Sequence, residues 1–400
     1  MDLINQFMEY TKGAPTADIF RLWSAIGVIS AAMERRTWTV TIHEPIYPNM
    51  FVLLVGGPGA GKTPATSPAR KLLRSASRLK IAPDSLTKAG FFDALESAAQ
   101  KIPLGGQFVE YSCLSIIADE LGMFMSAYDL DFISALTGVY DGRDGFSEQR
   151  RHSLGPGRKR ADIVNPLVNI LAGSQPGFMT SLLPEEVWSM GFTARIILIY
   201  SGDFQIPKLT FGRNGDPNAR LSLWKDMVKE VSRLSNLHGE FKWEPAAEVE
   251  MSRWVETGAA PVQDHSRLHH YNPKRGVHVA KLAMVSSAAR GEDLLITLRD
   301  LERGRRWLLH AESLMPNVFR DMKGRSDKQV LDEVFMFLWE QYMRNKKPIH
   351  ENTILHFVSE RTVSNNVERI LSLVERMGMA DREAGTKLYI PRPKHMHGME

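Results

Sequence analysis

Eight consecutive residues, Gly56-Gly57-Pro58-Gly59-Ala60-Gly61-Lys62-Thr63, carry the most legible chemistry in this chain. They match G-x-x-x-x-G-K-[ST], in which backbone N–H groups turn inward onto phosphate oxygens and a Cβ at the glycine positions would obstruct the approach. Lys62 supplies a point charge to β- and γ-phosphates, and the Thr63 hydroxyl supplies a ligand to Mg2+. Gly57, Pro58, Gly59, Ala60, Gly61, Lys62, Thr63 and Pro64 are the expected nucleotide contacts, with ATP and Mg2+ the implied cofactors. The competing reading is a bare glycine-rich turn. Against it stand the apolar run 50–55 directly before the motif and the Lys-Thr pair that ends it.

A second constellation closes the run 113–120, Cys-Leu-Ser-Ile-Ile-Ala-Asp-Glu. Downstream of a phosphate loop, such a strand end places Asp119 to hold Mg2+, directly or through water. Glu120 is then placed to orient and polarise the attacking water. The plainer alternative is an acidic helix N-terminus. The apolar run 167–175 ends in Ser174 and Gln175, polar groups placed to sense a γ-phosphate, with Asn169 a weaker candidate inside the run. Arg195 stands immediately before the apolar run 196–200. Two roles stay open for it: a catalytic cation for a neighbouring subunit's γ-phosphate, or a local salt bridge with Glu185 or Glu186.

A third cluster is cationic. Residues 146–152 and 158–163 can pair as strands about the Gly155-Pro156-Gly157 turn, which gathers Arg150, Arg151, His152, Arg158, Lys159 and Arg160 near one tip. Such density neutralises phosphates with a steep salt dependence, so DNA is the expected contact and a merely solvated hairpin the alternative.

The elements that must position these groups follow from pattern. Residues 18–29 have helical spacing, with Thr16 or Asp18 as N-cap candidates, and 37–42 alternate as a strand. Helices are expected over 88–99, capped by Ser85 or Thr87, and over 223–237, 247–257, 277–289 and 298–314. His265, His269 and His270 lack the further ligands of a tetrahedral zinc site and read as surface or hydrogen-bonded histidines. After a linker at 324–326, helices at 330–342, 351–358 and 362–377 precede a two-stranded wing that turns at Ala384-Gly385. That succession reads as a winged helix-turn-helix, with Asn365, Asn366, Arg369, Arg382 and Lys387 facing DNA, or else as a protein-docking module.

Four hundred residues exceed what one core usually organises, so two or three domains are expected. The 43% hydrophobic and 24% charged content is that of an ordinary globular chain, and a net charge of +4 permits a nucleic-acid partner without requiring one. No apolar stretch approaches a bilayer span, and residues 1–13 lack a signal-peptide pattern. The single cysteine, Cys113, lies in an apolar run and reads as a buried thiol, so the expected setting is cytoplasmic, without membrane.

Taken in order, the phosphate loop, the Asp119-Glu120 strand end, the basic hairpin, the polar strand end and the arginine before the last strand resemble an AAA+ helicase ATPase. The minichromosome-maintenance and superfamily-III viral helicases are most similar, among the helicase-like ATPases of phages and mobile elements. The resemblance covers roughly residues 50–310, and its specific part is the phosphate loop. It implies an α/β P-loop core of AAA+ type with a parallel sheet at 50–205 and a helical lid at 206–322, in which Arg275 or Lys281 touches nucleotide from above. It also implies a homo-hexamer whose channel the hairpin lines, and Ala194-Arg195-Ile196 as the trans-acting finger. The strand end Gly173-Ser174-Gln175 departs from the asparagine sensor usual in minichromosome-maintenance proteins. A helical extension at 1–49, a winged helix at 323–391 and a tail at 392–400 flank this core. The expected function is an ATP-driven, ring-forming helicase or translocase in phage or mobile-element DNA replication, acting on single-stranded or forked DNA beside a primase or other replication proteins. The alternatives are a helicase loader or replication initiator that does not unwind, and an ATP-switched DNA-binding scaffold.

Overall fold

The first two hundred residues alternate helices and strands: α1 (Leu3–Tyr10), α2 (Asp18–Met33), β1 (Thr37–Val40), β2 (Pro45–Ile46), β3 (Phe51–Val55), α3 (Lys62–Arg74), α4 (Lys88–Ser97), β4 (Ala99–Leu104), β5 (Gln107–Ala118), α5 (Leu130–Tyr140), β6 (Gly145–Arg151), β7 (Arg158–Val164), β8 (Pro166–Ser174), α6 (Pro176–Leu182) and β9 (Ile196–Tyr200). The structure, a computed structural model, describes residues 2–41, 44–104, 106–126, 129–142, 144–151, 158–183, 187–188, 191–204, 217–291, 294–322, 327–359, 367–383 and 385–392. The chain divides into two units, Met1–Phe319 and Arg320–Glu400.

The architecture is mixed α/β. The main sheet has the order β4-β5-β8-β3-β9, with β5, β8, β3 and β9 parallel and β4 antiparallel to β5. Every residue of β3, β8 and β9 is buried. Strands buried on both faces read as apolar runs, and these do, apart from Asn169 and the closing Ser174 of β8. Val55 lies opposite Ser174 on one side and Tyr200 on the other, and Ala118 lies opposite Ala172, so the strand ends are nearly level. The chain leaves β3 for β5 and β8 on one side and returns to β9 on the other. That makes β3 the switch point, where a crevice opens beyond the carboxyl ends of the strands.

Twelve of the residues of α2 are buried, and it packs against α1, α3 and β8. A helix apolar almost all round belongs inside, so residues 1–49 are built into the first unit. The expected side-chain cap on α2 is absent: its N-cap is Ala17, and the Thr16 hydroxyl is buried without a partner. Thr87 does cap α4, accepting from the Gly90 N–H at 3.1 Å. The hairpin of β4 with β5 went unread in the sequence; its signal is Gly105-Gly106 between two strand-like runs.

Helices Pro217–Leu234, Pro245–Glu256, Arg275–Arg290 and Leu298–Met322 follow. Helix Arg275–Arg290 is buried at 13 of its 16 residues. Arg275 and Glu312 form an ion pair of 2.7 Å with each side chain 1% exposed, and the Tyr271 hydroxyl donates to the same carboxylate at 3.1 Å. The Ala259 carbonyl accepts from Nη1, and the Pro261 carbonyl accepts from Nη2, the nitrogen that also meets Glu312.

In the second unit, helices Asp327–Asn345, Glu351–Ser359 and Val367–Arg376 combine with a three-stranded antiparallel sheet in the order Ile349–His350, Leu388–Pro391, Ala380–Arg382. Val334, Leu338, Ile354, Val358, Ile370, Val374 and Tyr389 form its core. Asn365 and Asn366 lie outside the described residues. No described helix is long and apolar enough to cross a membrane.

Removing one partner of a buried ion pair leaves the other charge stranded. Glu312→Ala is therefore expected to cost the first unit about 3–5 kcal/mol in urea unfolding, against about 0.5 kcal/mol or less for Arg253→Ala on the exposed face of its helix. A loss under about 1 kcal/mol for Glu312→Ala would show that the backbone carbonyls suffice for Arg275.

Candidate functional site

The loop after β3 is shaped by close approach. Gly56 N–H donates to the Ser174 carbonyl at 3.2 Å, tying the loop to the end of β8. Gly61 has φ +79°, and a Cβ there would fall 2.1 Å from the Pro15 carbonyl oxygen. The segment before α2 therefore lies directly on the loop, and only glycine fits. The Phe204 ring, itself 70% exposed, comes within 2.3 Å of where a Cβ on Gly59 would stand. Helix α3 starts at Lys62 with first-turn N–H groups that have no intrahelical acceptor. Pro64 sits in that first turn, where its missing N–H costs least.

Lys62 is 7% exposed, and its Nζ donates to the carbonyls of Gly56 at 2.8 Å and Gly57 at 3.2 Å. Glu120 Oε1 lies 4.0 Å away. Burial pulls the Lys62 ammonium below the usual lysine range, and the Glu120 charge opposes that shift. Thr63, Pro58 and Gly59 are exposed, and Ala60 is buried.

The parallel register brings the acids to this loop. A Cβ on Gly173 would stand 2.2 Å from the Asp119 carbonyl and 3.3 Å from Lys62 Cδ, so the ends of β8 and β5 and the start of α3 are in contact here. Asp119 Oδ1 accepts from Thr66 Oγ1 at 2.8 Å and from Arg70 Nη2 at 3.2 Å. Sequence reasoning missed Thr66 and Arg70; the available signal was their i+3 and i+7 spacing from Thr63 on one helix face. Ser174 is fully buried, its hydroxyl 3.4 Å from the Gln175 carbonyl, and Gln175 is the half-buried N-cap residue of α6. Asn169 is corrected to a structural residue. Its Oδ1 accepts from Ser30 Oγ at 2.7 Å and from the Met50 N–H at 3.1 Å, away from the loop.

Arg195 lies at the opposite end of the sheet. Phe51 pairs with Ile196 and Val55 with Tyr200, so the length of β9, about 16 Å, separates Arg195 from its own loop level. Its guanidinium pairs with Asp141, through Nε at 3.2 Å and through Nη2, and donates to the Gly191 carbonyl at 2.8 Å. Glu185 and Glu186 lie outside the described residues. Behind this turn, His278 Nε2 meets the Ala194 carbonyl at 3.1 Å, and Lys281 Nζ donates to Asn49 O and Oδ1, each at 2.8 Å. The expectation that Arg275 or Lys281 touches nucleotide is thereby corrected: both are buried and held by protein acceptors.

Strands β6 and β7 pair as expected, and the expected Gly155-Pro156-Gly157 turn lies outside the described residues. Arg150 faces Lys159, Arg151 faces Arg158, and Gln149 faces Arg160. His152 lies outside the described residues. The hairpin base is apolar: Phe146 stacks on Phe92 with centroids 5.3 Å apart, and Ile163 is buried. In the second unit, Arg382 and Lys387 both approach Glu351, at 3.6 and 3.8 Å, and Arg369 is on the exposed side of its helix.

No protein-family model matches the chain, and no curated protein matches it significantly.

Two outcomes follow from this geometry. Gly173→Ala forces apart the ends of β8 and β5, and is expected to lower stability by about 1–3 kcal/mol and to weaken nucleotide binding; wild-type stability and binding would show that the ends are free to separate. Burial, followed by the charge of Lys281, pushes His278 down to about 3 from an ordinary 6.5. Its neutral burial stabilises the fold fully above about 6.5, and that contribution is lost as pH falls toward 3, because only the unfolded chain takes up the proton. Urea unfolding at pH 7 and pH 5 should differ by about 2 kcal/mol from this group, and His278→Gln should remove that part of the difference.

Proposed function

We propose that the chain is an ATP-hydrolysing motor of the AAA+ helicase kind, which assembles as a homo-hexameric ring and translocates on or unwinds DNA. The observation that carries this reading is the convergence, at the switch point of one sheet, of the glycine loop with Lys62, the Asp119–Glu120 strand end and Ser174.

The residues present fit a magnesium nucleoside triphosphate. The Gly57–Gly61 backbone and the first turn of α3 would take the phosphates. Lys62 would exchange its two carbonyl acceptors for β- and γ-oxygens, and Thr63 with Asp119 would hold the metal. When bound, the metal neutralises charge on the phosphoryl oxygens. Glu120 would orient the attacking water and take its proton as the water oxygen bonds to Pγ and the Pγ–O bond breaks, the electron pair leaving with the diphosphate. Thr16, beside Gly61 with an unpartnered hydroxyl, and Phe204 on Gly59 are the residues suited to the nucleoside end.

Arg195 is too far along β9 to serve its own loop, so the phosphate it stabilises belongs to a neighbouring copy, and it leaves Asp141 to reach it. The facing cations of the β6–β7 hairpin would track the DNA backbone. The three helices and small sheet of the second unit support a winged-helix reading, with Arg369, Arg382 and Lys387 as its DNA-facing cations.

Unwinding of a forked duplex tests the proposal. Wild type should unwind with ATP, while Glu120→Gln should bind nucleotide with turnover lowered by about 10²–10⁴. An equal mixture of Lys62→Ala and Arg195→Ala proteins, each inactive alone, should regain activity if the arginine acts in trans. DNA-stimulated turnover without unwinding would support a loader instead. Nucleotide binding with negligible turnover would support a switched scaffold.

A further inference from the structure

Asp119 is tied to α3 by two donors that reach the same oxygen. Thr66 Oγ1 lies 2.8 Å and Arg70 Nη2 3.2 Å from Oδ1. Thr63, Thr66 and Arg70 share one face of α3, and a rise of about 1.5 Å per residue puts Thr66 about 4.5 Å and Arg70 about 10 Å beyond Thr63 along the helix. Arg70 also has a second carboxylate within reach. Its Nη1 is 4.0 Å from Asp84 Oδ1, which Arg74 approaches at 3.8 Å. The same Nη2 that meets Asp119 donates to the Ile117 carbonyl at 2.9 Å, and Nε is buried without a partner. The guanidinium, 18% exposed, therefore stands between a strand-end carboxylate and one on the loop before α4.

We infer that Arg70 is a metal-competing counter-ion: without a divalent cation it neutralises Asp119, and a cation held by Asp119 and Thr63 shifts it toward Asp84. The inference rests on the magnesium-nucleotide reading of the loop. Its physical basis is that a guanidinium and a divalent cation repel strongly when both contact one carboxylate. An arginine with no other partner would resist that displacement, because its charge would be left unpaired in a partly buried site. Asp84 removes the difficulty by accepting the displaced charge. Thr66, which is neutral, can keep its bond to Oδ1 in either state. A purely structural Arg70 would strap β5 to α3 through Ile117, with no bearing on metal occupancy.

The two roles separate by titration. A fluorescent ATP analogue is bound to the full chain while MgCl2 is raised, and the magnesium midpoint is compared for wild type, Arg70→Gln and Asp84→Asn, with thermal unfolding of each followed in parallel. Arg70→Gln should bind at a magnesium concentration about three- to fivefold lower, the scale of one partly exposed ion pair. Asp84→Asn should move the midpoint the other way, since Arg70 then has only Asp119. Asp84 is 59% exposed, so this second variant tests the idea even where Arg70→Gln folds poorly. A wild-type midpoint in Asp84→Asn, or an unchanged or raised midpoint in a folded Arg70→Gln, overturns the inference and leaves Arg70 as a strap. Failure of wild type to bind the analogue at saturating magnesium is a different result: it removes the nucleotide reading itself.

Discussion

The parallel register of the main sheet is the constraint on which the rest of the first unit depends. Parallel strands carry their carboxyl ends to one side, so segments at 56–63, 119–120 and 174–175, each far from the next in sequence, meet there without any contact encoded locally. The same rule carries the residue preceding a strand to the far side. Arg195 and the glycine loop flank strands that are hydrogen-bonded neighbours, yet they stand at opposite ends of them. On the proposed reading, a sheet built this way would leave Arg195 out of reach of its own loop, and this links the strand topology to the proposed ring.

Burial alone does not decide what a charged group can bind, and two buried lysines among the described residues differ in this respect. Lys62 and Lys281 are 7% and 3% exposed, and both donate to backbone carbonyls. The acceptors of Lys62 belong to a glycine loop at the switch point, open beyond the strand ends, where an anion can take their place. Those of Lys281 belong to Asn49, whose amide also donates to the Tyr140 and Val168 carbonyls. Its ammonium lies 4.0 Å from the Tyr140 ring centroid. That network is enclosed on every bonded side, so exchanging its acceptors would leave buried polar groups unpaired. Lys281 is a structural cation for this reason.

What was legible in the sequence followed from period and local chemistry. The glycine loop, the fully buried runs of β3, β8 and β9, the hairpin strands and the helices of the second unit all carry signals within a short window. What was missed arises from long-range partners. Nothing near Arg275 in sequence announces Glu312, and nothing near Asp119 announces Arg70. The Thr16 cap failed for a related reason, since Pro15 and Thr16 are committed to packing against Gly61. Asn169, a weaker sensor candidate inside its apolar run, has Ser30 and the Met50 N–H as tertiary partners that no local pattern announces.

Arg195 shows how a strand-flanking cation can be read two ways. Its local salt bridge exists, with Asp141 at the end of α5. The next residue, Gly142, gives its carbonyl to Arg35, and β6 begins three positions later. The turn that holds Arg195 is thus also the root of the basic hairpin. On the far side, His278 holds the Ala194 carbonyl from a buried helix. The backbone of the Arg195 turn is consequently fixed, while its side chain is 14% exposed and held mainly by one half-exposed carboxylate. The pair is bidentate and its arginine is largely buried, so it is stronger than an exposed surface pair. The role in trans, as proposed, therefore requires a neighbouring phosphate whose greater negative charge outcompetes the Asp141 carboxylate.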